Sequence, residues 1–164
     1  MKNLFLSVIA FFAFTLIAQA QAGLNLGMSY GFPSGNDMSA FYDSSLTIDG
    51  SYLTSVSEKI DAGLASGFHT SFGKKAIPDF QFIPIAAAGR LGLTKRIVLG
   101  GDLGYAIGLN DGNDGGFYYR PMVGFTLLRI FQLNASYVGV SVKNFSYGTF
   151  NIGASINLFG NRGE

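Results

Sequence analysis

Residues 97–109, IVLGGDLGYAIGL, and residues 117–128, FYYRPMVGFTLL, are joined by the turn-forming run NDGNDGG at 110–116. In the first arm Ile97, Leu99, Leu103, Tyr105, Ile107 and Leu109 share one face with Gly101. Val98, Gly100, Asp102, Gly104, Ala106 and Gly108 share the other. In the second arm Phe117, Tyr119, Pro121, Val123, Phe125 and Leu127 alternate with Tyr118, Arg120, Met122, Gly124, Thr126 and Leu128. A period of two over a dozen residues describes extended strand, because successive side chains point to opposite faces. A soluble sheet turns its large residues toward a core. Here the face of glycines and lone charges reads as the inside, and that inversion predicts a β-barrel standing in lipid.

The same pattern extends through the chain. Leu24 to Phe32 alternates at once, and a polar loop is expected over Pro33–Ser45. A second strand is expected over Leu46–Val56 and a third from Ile60, with Asp49, Asp61, His69 and Ser71 on the inward face. The fourth, FQFIPIAAAGRLGL, alternates poorly, and Arg90 helps to set its frame. Strands seven and eight place Leu133, Ala135 and Tyr137, then Phe150, Ile152 and Ile156, outward. The expected fold is therefore all-β: an eight-stranded antiparallel up-and-down transmembrane barrel, even in strand number as such barrels require. Short turns at Ser57–Lys59, Thr94–Arg96 and Arg129–Ile130 alternate with longer loops at Pro33–Ser45, Gly73–Asp79, Asn110–Gly116 and Lys143–Gly148, a pattern that puts both termini on the short-turn, periplasmic side. Pro84 and Pro121 fall inside strands, each removing a ladder donor, and bulges are expected there.

Composition agrees with this architecture. Of 164 residues, 48% are hydrophobic and 13% charged, against about 25% charged in soluble domains. The length fits one domain. Cysteine is absent, so a disulfide frame, a thiolate metal site and a lipid-modified N-terminal cysteine are excluded. The 23 glycines follow no collagen period, and no basic cluster suggests nucleic acid. Lys2, the apolar run Leu4–Ala18 and the small-x-small sites at Ala18–Ala20 and Ala20–Ala22 have the form of a secretory signal. Residues 1–22 are expected as a signal peptide cleaved after Ala20 or Ala22, and 23–164 as the barrel domain. No later apolar run reaches the ~20 residues a spanning helix needs.

Charge placement tests the frame. Asp49, Asp61, Arg90, Asp102 and Arg120 lie within strands and all point inward. Arg or Lys on the lipid face at mid-membrane would cost about 2–4 kcal/mol. These five residues, with His69, are expected to form a polar network in the lumen. Outward aromatics gather toward the loop end: Tyr30, Phe32, Phe68, Phe72, Tyr105, Phe117, Tyr119, Tyr137 and Phe150, an interfacial girdle.

This arrangement resembles the small eight-stranded outer-membrane proteins, such as the OmpA membrane domain and OmpX. The stretches FIPIAAAGRLGL, GGDLGYAIGLNDGNDGGFYYRPMVGF, LNASYVGVS and FNIGASINLF look similar to outer-membrane barrels of Bacteroidetes, broadly the PorT-like group. The resemblance covers nearly the whole mature chain. It implies a Gram-negative outer-membrane location, lipid as the surrounding partner, and recognition by the barrel-insertion machinery through the C-terminal strand. Such barrels usually end in an aromatic residue; here Phe159 falls in the inward frame and Gly160–Glu164 follow it.

The candidate chemistry is sparse. His69 and Ser71 share a face two residues apart, and a lipid hydrolase would need them to reach a third polar partner at the lipid interface. NDGNDGG offers carboxylates but misses the spacing of a calcium loop and lacks its distal glutamate. Lys74 and Lys75 could meet lipopolysaccharide phosphates. No catalytic residue, metal or cofactor is expected. The leading expectation is a small closed barrel with a structural, surface-interaction or envelope-assembly role. A narrow pore is the first alternative; a lipid-modifying enzyme and a soluble lipocalin-type barrel follow.

Overall fold

The structure is a computed structural model describing residues 22–75, 77–110, 113–128, 130–142 and 145–159. The expected signal peptide, apart from Ala22, lies outside the described residues. Eight strands follow one another: β1 (Ala22–Pro33), β2 (Tyr42–Ser55), β3 (Ile60–Gly73), β4 (Phe80–Gly92), β5 (Ile97–Gly108), β6 (Gly116–Leu128), β7 (Phe131–Val142) and β8 (Phe145–Phe159). Each pairs antiparallel with the next, and β1 pairs with β8, so the sheet closes into a barrel. Closure removes the edges that would otherwise leave backbone donors and acceptors unpaired in hydrocarbon.

The alternation read from the sequence sets the two faces of the wall. Met28, Ile48, Leu64, Ile85, Leu103, Val123, Leu133 and Ile152, one from each strand, are 43–71% exposed and form a belt around the whole circumference. Ser29, Thr47, Ala65, Ala86, Asp102, Arg120 and Asn151 are buried inside. A surface this apolar, continuous on every side, is stable against hydrocarbon and not against water. The strands have 12–15 residues, more than the ~9–11 that cross the hydrocarbon, so their ends project beyond it.

Three expectations are corrected. The stretch Pro33–Ser45 is not a loop throughout: a one-turn helix, α1 (Asn36–Phe41), lies in it, and β2 starts at Tyr42. Residues 145–148, also expected in a loop, begin β8 by pairing with β7 through Val142↔Phe145 to Gly139↔Gly148. At both places polar and glycine residues suggested a turn, but cross-strand bonding carries the ladder past the membrane boundary. The bulges expected at Pro84 and Pro121 do not occur. The register runs unshifted through both, from Ser66↔Ile85 to His69↔Phe82 and from Tyr119↔Gly139 to Met122↔Ser136. A proline lacks one donor only, so pairing lapses on one side while the other partner strand keeps its place: Pro84↔Ala106 and Gly101↔Pro121 are intact. Register shifts fall instead at the strand ends, by Leu24, Ser44 and Leu128.

Candidate functional site

The lumen has three levels, each built from the inward positions of the strands. At the middle lies an ionic quartet. Arg90 Nη1 donates to Asp102 Oδ1 at 2.6 Å, and Arg120 Nε donates to Asp102 Oδ2 at 2.7 Å. Arg120 also grips Asp49 with Nη1 at 3.0 Å from Oδ2 and Nη2 at 3.2 Å from Oδ1. Asp102 and Arg120 are direct register partners on β5 and β6. Asp49 stands on β2, so Arg120 bridges the lumen to strands far from its own. The Asp102 carboxylate is completely buried and shared by two guanidiniums, which is how charges removed from water must be arranged. Arg90 Nη1 also donates to the backbone oxygens of Gly89 and Gly101.

Toward the loops the interior changes character. Met38, Phe82, Tyr118, Val138, Val140 and Tyr147 are almost completely buried and pack as one apolar cluster with Ala86 and Ala106. Met38 enters it from α1, at the loop end of the lumen. Polar side chains in this half satisfy one another. Thr47 Oγ1 and His69 Nδ1 share a 2.7 Å hydrogen bond, and His69 Nε2 lies 2.7 Å from the Tyr147 hydroxyl. Ser71 meets both His69 and Tyr147. The imidazole stacks on Phe82 with 4.6 Å between ring centroids. Ser45 donates to Asn151, which in turn donates to the Thr149 backbone and hydroxyl.

Toward the turns the lumen opens. A cavity of about 310 Å³ reaches from the quartet to the turn end, lined by Asn25, Ser51, Asp61, Val98, Gln132 and Asn157 among others. Asn157 Oδ1 is buried there without a hydrogen-bond partner among the described residues. Among the described residues the lumen thus holds a cavity in its turn half and packed side chains in its loop half.

Of the residues expected in one lumen network, Asp49, Arg90, Asp102 and Arg120 meet. Asp61 lies lower, accepting from Ser55 Oγ at 2.8 Å, and His69 belongs to the hydroxyl cluster. His69 and Ser71 do find a third polar partner in Tyr147, but all three are buried inside the wall and none reaches lipid. The interior holds an apolar cluster beside the polar groups. Phe82 and Tyr118 had inward frames in the sequence; Met38 and Tyr147 were concealed in stretches that read as loops. A methionine and a phenylalanine three residues apart, Met38 and Phe41, were the only trace of α1.

The girdle aromatics sit on the outer face of the loop half. Tyr119 and Tyr137 are half-buried because they lie over glycines of the neighbouring strands, Gly139 and Gly148, where a Cβ would strike the rings. Tyr119, Tyr137 and Phe150 form a row with centroids 6.0 and 5.0 Å apart.

The loops are tied to the barrel. Lys74 Nζ donates to Ser39 O at 2.6 Å and lies 3.3 Å from Asp43, so this lysine clamps α1 rather than standing free. Lys75 is exposed. Asn110 and Asn113 bracket Gln81: Asn110 Oδ1 accepts from Gln81 N at 2.8 Å, and Asn113 Nδ2 donates to Gln81 O at 2.7 Å. Asp111 and Gly112 lie outside the described residues. Among the described residues no group of three or more histidine or acidic side chains is placed to hold a metal ion.

A closed barrel of eight antiparallel strands, with charges inside and an apolar belt outside, is the fold of the small outer-membrane β-barrels. Solved structures share it. The outer membrane protein Ail of Yersinia pestis in a phospholipid bilayer nanodisc has a TM-score of 0.61 and 15% identity, over 85% of this chain and 100% of that one. Ail in complex with the heparin analogue sucrose octasulfate gives 0.54 and 15%, over 84% and 97%. The N-terminal β-barrel domain of Pseudomonas aeruginosa OprF gives 0.53 and 12%, over 85% and 100%. Neisserial surface protein A gives 0.53 and 14%, over 84% and 96%. No protein-family model matches the chain, and no curated protein does.

Proposed function

We propose that this protein is a small closed integral outer-membrane barrel of a Gram-negative cell, with a structural, surface-interaction or envelope-assembly role and no catalysis. One observation carries the reading: the exposed aliphatic belt runs through all eight strands, while the ion pairs of those strands lie inside. Outer-membrane lipid is then the main partner. The export signal lies within residues 1–22. Ala22 already pairs with Thr54 in β1, which favours cleavage after Ala20. The last strand, β8, closes the barrel against β1 and offers the recognition segment for the insertion machinery. Both termini lie on the short-turn, periplasmic side. The side chain of Phe159 lies outside what the structure describes.

Fractionation and gel mobility test this together. The protein is expected in outer membranes, migrating as a compact detergent-resistant band that shifts on boiling. Protein recovered soluble in the periplasm without such a shift would defeat the proposal.

The pore reading has one observation in its favour, the turn-end cavity of about 310 Å³. It ends on Asp49, Arg90 and Arg120, and the apolar cluster is packed in the other half of the lumen, so the purified barrel in planar bilayers is expected to show no conductance steps. Ail is known in complex with a sulfated sugar analogue. Among the described residues the loop end of this chain carries Asp43, Asp79 and Asp114 against Lys74 and Lys75, which gives a polyanion no attraction.

A further inference from the structure

The two rims of the barrel carry opposite charge. Among the described residues the loop end holds Asp43, Asp79 and Asp114 against Lys74 and Lys75. Among the described residues the turn end holds Lys59, Lys95 and Arg96 against Glu58 and, just inside the lumen, Asp61. We infer that the turn rim, through Lys59, Lys95 and Arg96, is a binding surface for the phosphate headgroups of anionic phospholipids. This rests on the membrane reading above.

The cations sit at the depth where headgroups lie. Lys59 directly precedes Ile60, 45% exposed on the lipid face, and Arg96 directly precedes Ile97, 37% exposed. One residue along a strand is ~3.3 Å, so both charges stand at the edge of the apolar belt. Lys95 follows Leu93 by two residues and also lines the mouth of the cavity. All three side chains are exposed.

Their turns are held in place. Gly92 N donates to Lys59 O at 2.8 Å, joining the β2–β3 turn to the β4–β5 turn. Thr94 Oγ1 accepts from Arg96 N at 3.2 Å and Ile97 N at 2.9 Å, and Thr126 N donates to Arg96 O at 2.7 Å. Three cations are therefore fixed on two adjoining turns. A guanidinium beside ammonium groups suits phosphate oxygens, the guanidinium by its forked donors and the lysines as point charges. The loop rim lacks this character: its Lys74 is engaged by Ser39 and Asp43.

The test uses protein purified from the membranes of the expressing cell and placed in nanodiscs of equal phosphatidylcholine and phosphatidylglycerol. Lipids retained on the barrel after mild detergent extraction are counted by mass spectrometry. Phosphatidylglycerol is expected to be enriched several-fold, about five-fold per engaged cation at low salt, and the enrichment is expected to fall as salt rises. The variant K59Q/K95Q/R96Q is expected to lose it while keeping the boiling-dependent gel shift, and K74Q/K75Q is expected to retain it. Equal retention of both lipids by the native protein overturns the inference, as does enrichment that survives in the triple variant or disappears equally in the loop-rim variant. Failure of the gel shift in the native protein would instead strike the membrane reading itself.

Discussion

At the scale of single residues, Asp102 has the most demanding position. Its buried carboxylate joins Arg90 to Arg120 in the quartet, and its removal leaves Arg90 with backbone oxygens and no carboxylate, and Arg120 with Asp49 alone. Breaking a buried pair by deleting one partner costs about 3–5 kcal/mol. Asp102→Asn is therefore expected to lower stability by that amount, read as the urea midpoint for unfolding from lipid vesicles. Asp49, with its carboxylate facing the cavity, gives a smaller loss in the same assay. Gly139 is governed by sterics. The ring of Tyr119 occupies the space a Cβ would need, a covering of strand glycine by an aromatic side chain. Gly139→Ala is expected to cost about 1–3 kcal/mol by overpacking. In the background of Tyr119→Ala that cost is expected to vanish, and additive losses would show that the two residues do not touch.

At the scale of elements, α1 and its tether act unequally. Met38 is 3% exposed and packs into the apolar half of the lumen, whereas Lys74 reaches α1 by an exposed hydrogen bond to Ser39 O and pairs with Asp43 of β2. Met38→Ala is expected to cost about 2–5 kcal/mol, since it leaves a void in a packed cluster. Lys74→Ala is expected to cost no more than about 1 kcal/mol, the range of solvent-screened pairs. Hydrogen exchange separates the two variants. Loss of Met38 exposes amides of the loop ends of β2 and β8, while loss of Lys74 affects only the segment around α1. Similar effects from both substitutions would mean that α1 lies over the barrel without sealing it.

At the scale of the whole molecule, the membrane decides which substitutions are tolerated. Leu103 is 58% exposed, and on a water-facing surface replacing it with a charge would be nearly neutral. In lipid Leu103→Arg is expected to cost about 2–4 kcal/mol, measured by the same unfolding midpoint in vesicles. A neutral result there would remove the hydrocarbon from around the belt. The rim asymmetry belongs to this scale too, because it arises only when turns distant in sequence come together around one opening.

Much of this architecture is legible in the chain alone. Period-two alternation with inverted polarity assigns seven strands a lipid face and a lumen face, and it points Asp49, Asp102 and Arg120 inward without any coordinates; in the fourth strand the alternation is poor and Arg90 itself helped to set the frame. What alternation cannot supply is the partner across the lumen. Arg120 reaches Asp49 over 71 positions of sequence, and His69 meets Tyr147 over 78, because closure of β1 on β8 brings opposite walls within side-chain reach. The division of the interior has the same origin. Met38 and Tyr147 lie in segments whose local composition favours turns, and only the packed lumen makes burial of their apolar surface worth more than that local preference. Local periodicity therefore determined the wall of this protein, and three-dimensional closure decided what fills and seals it.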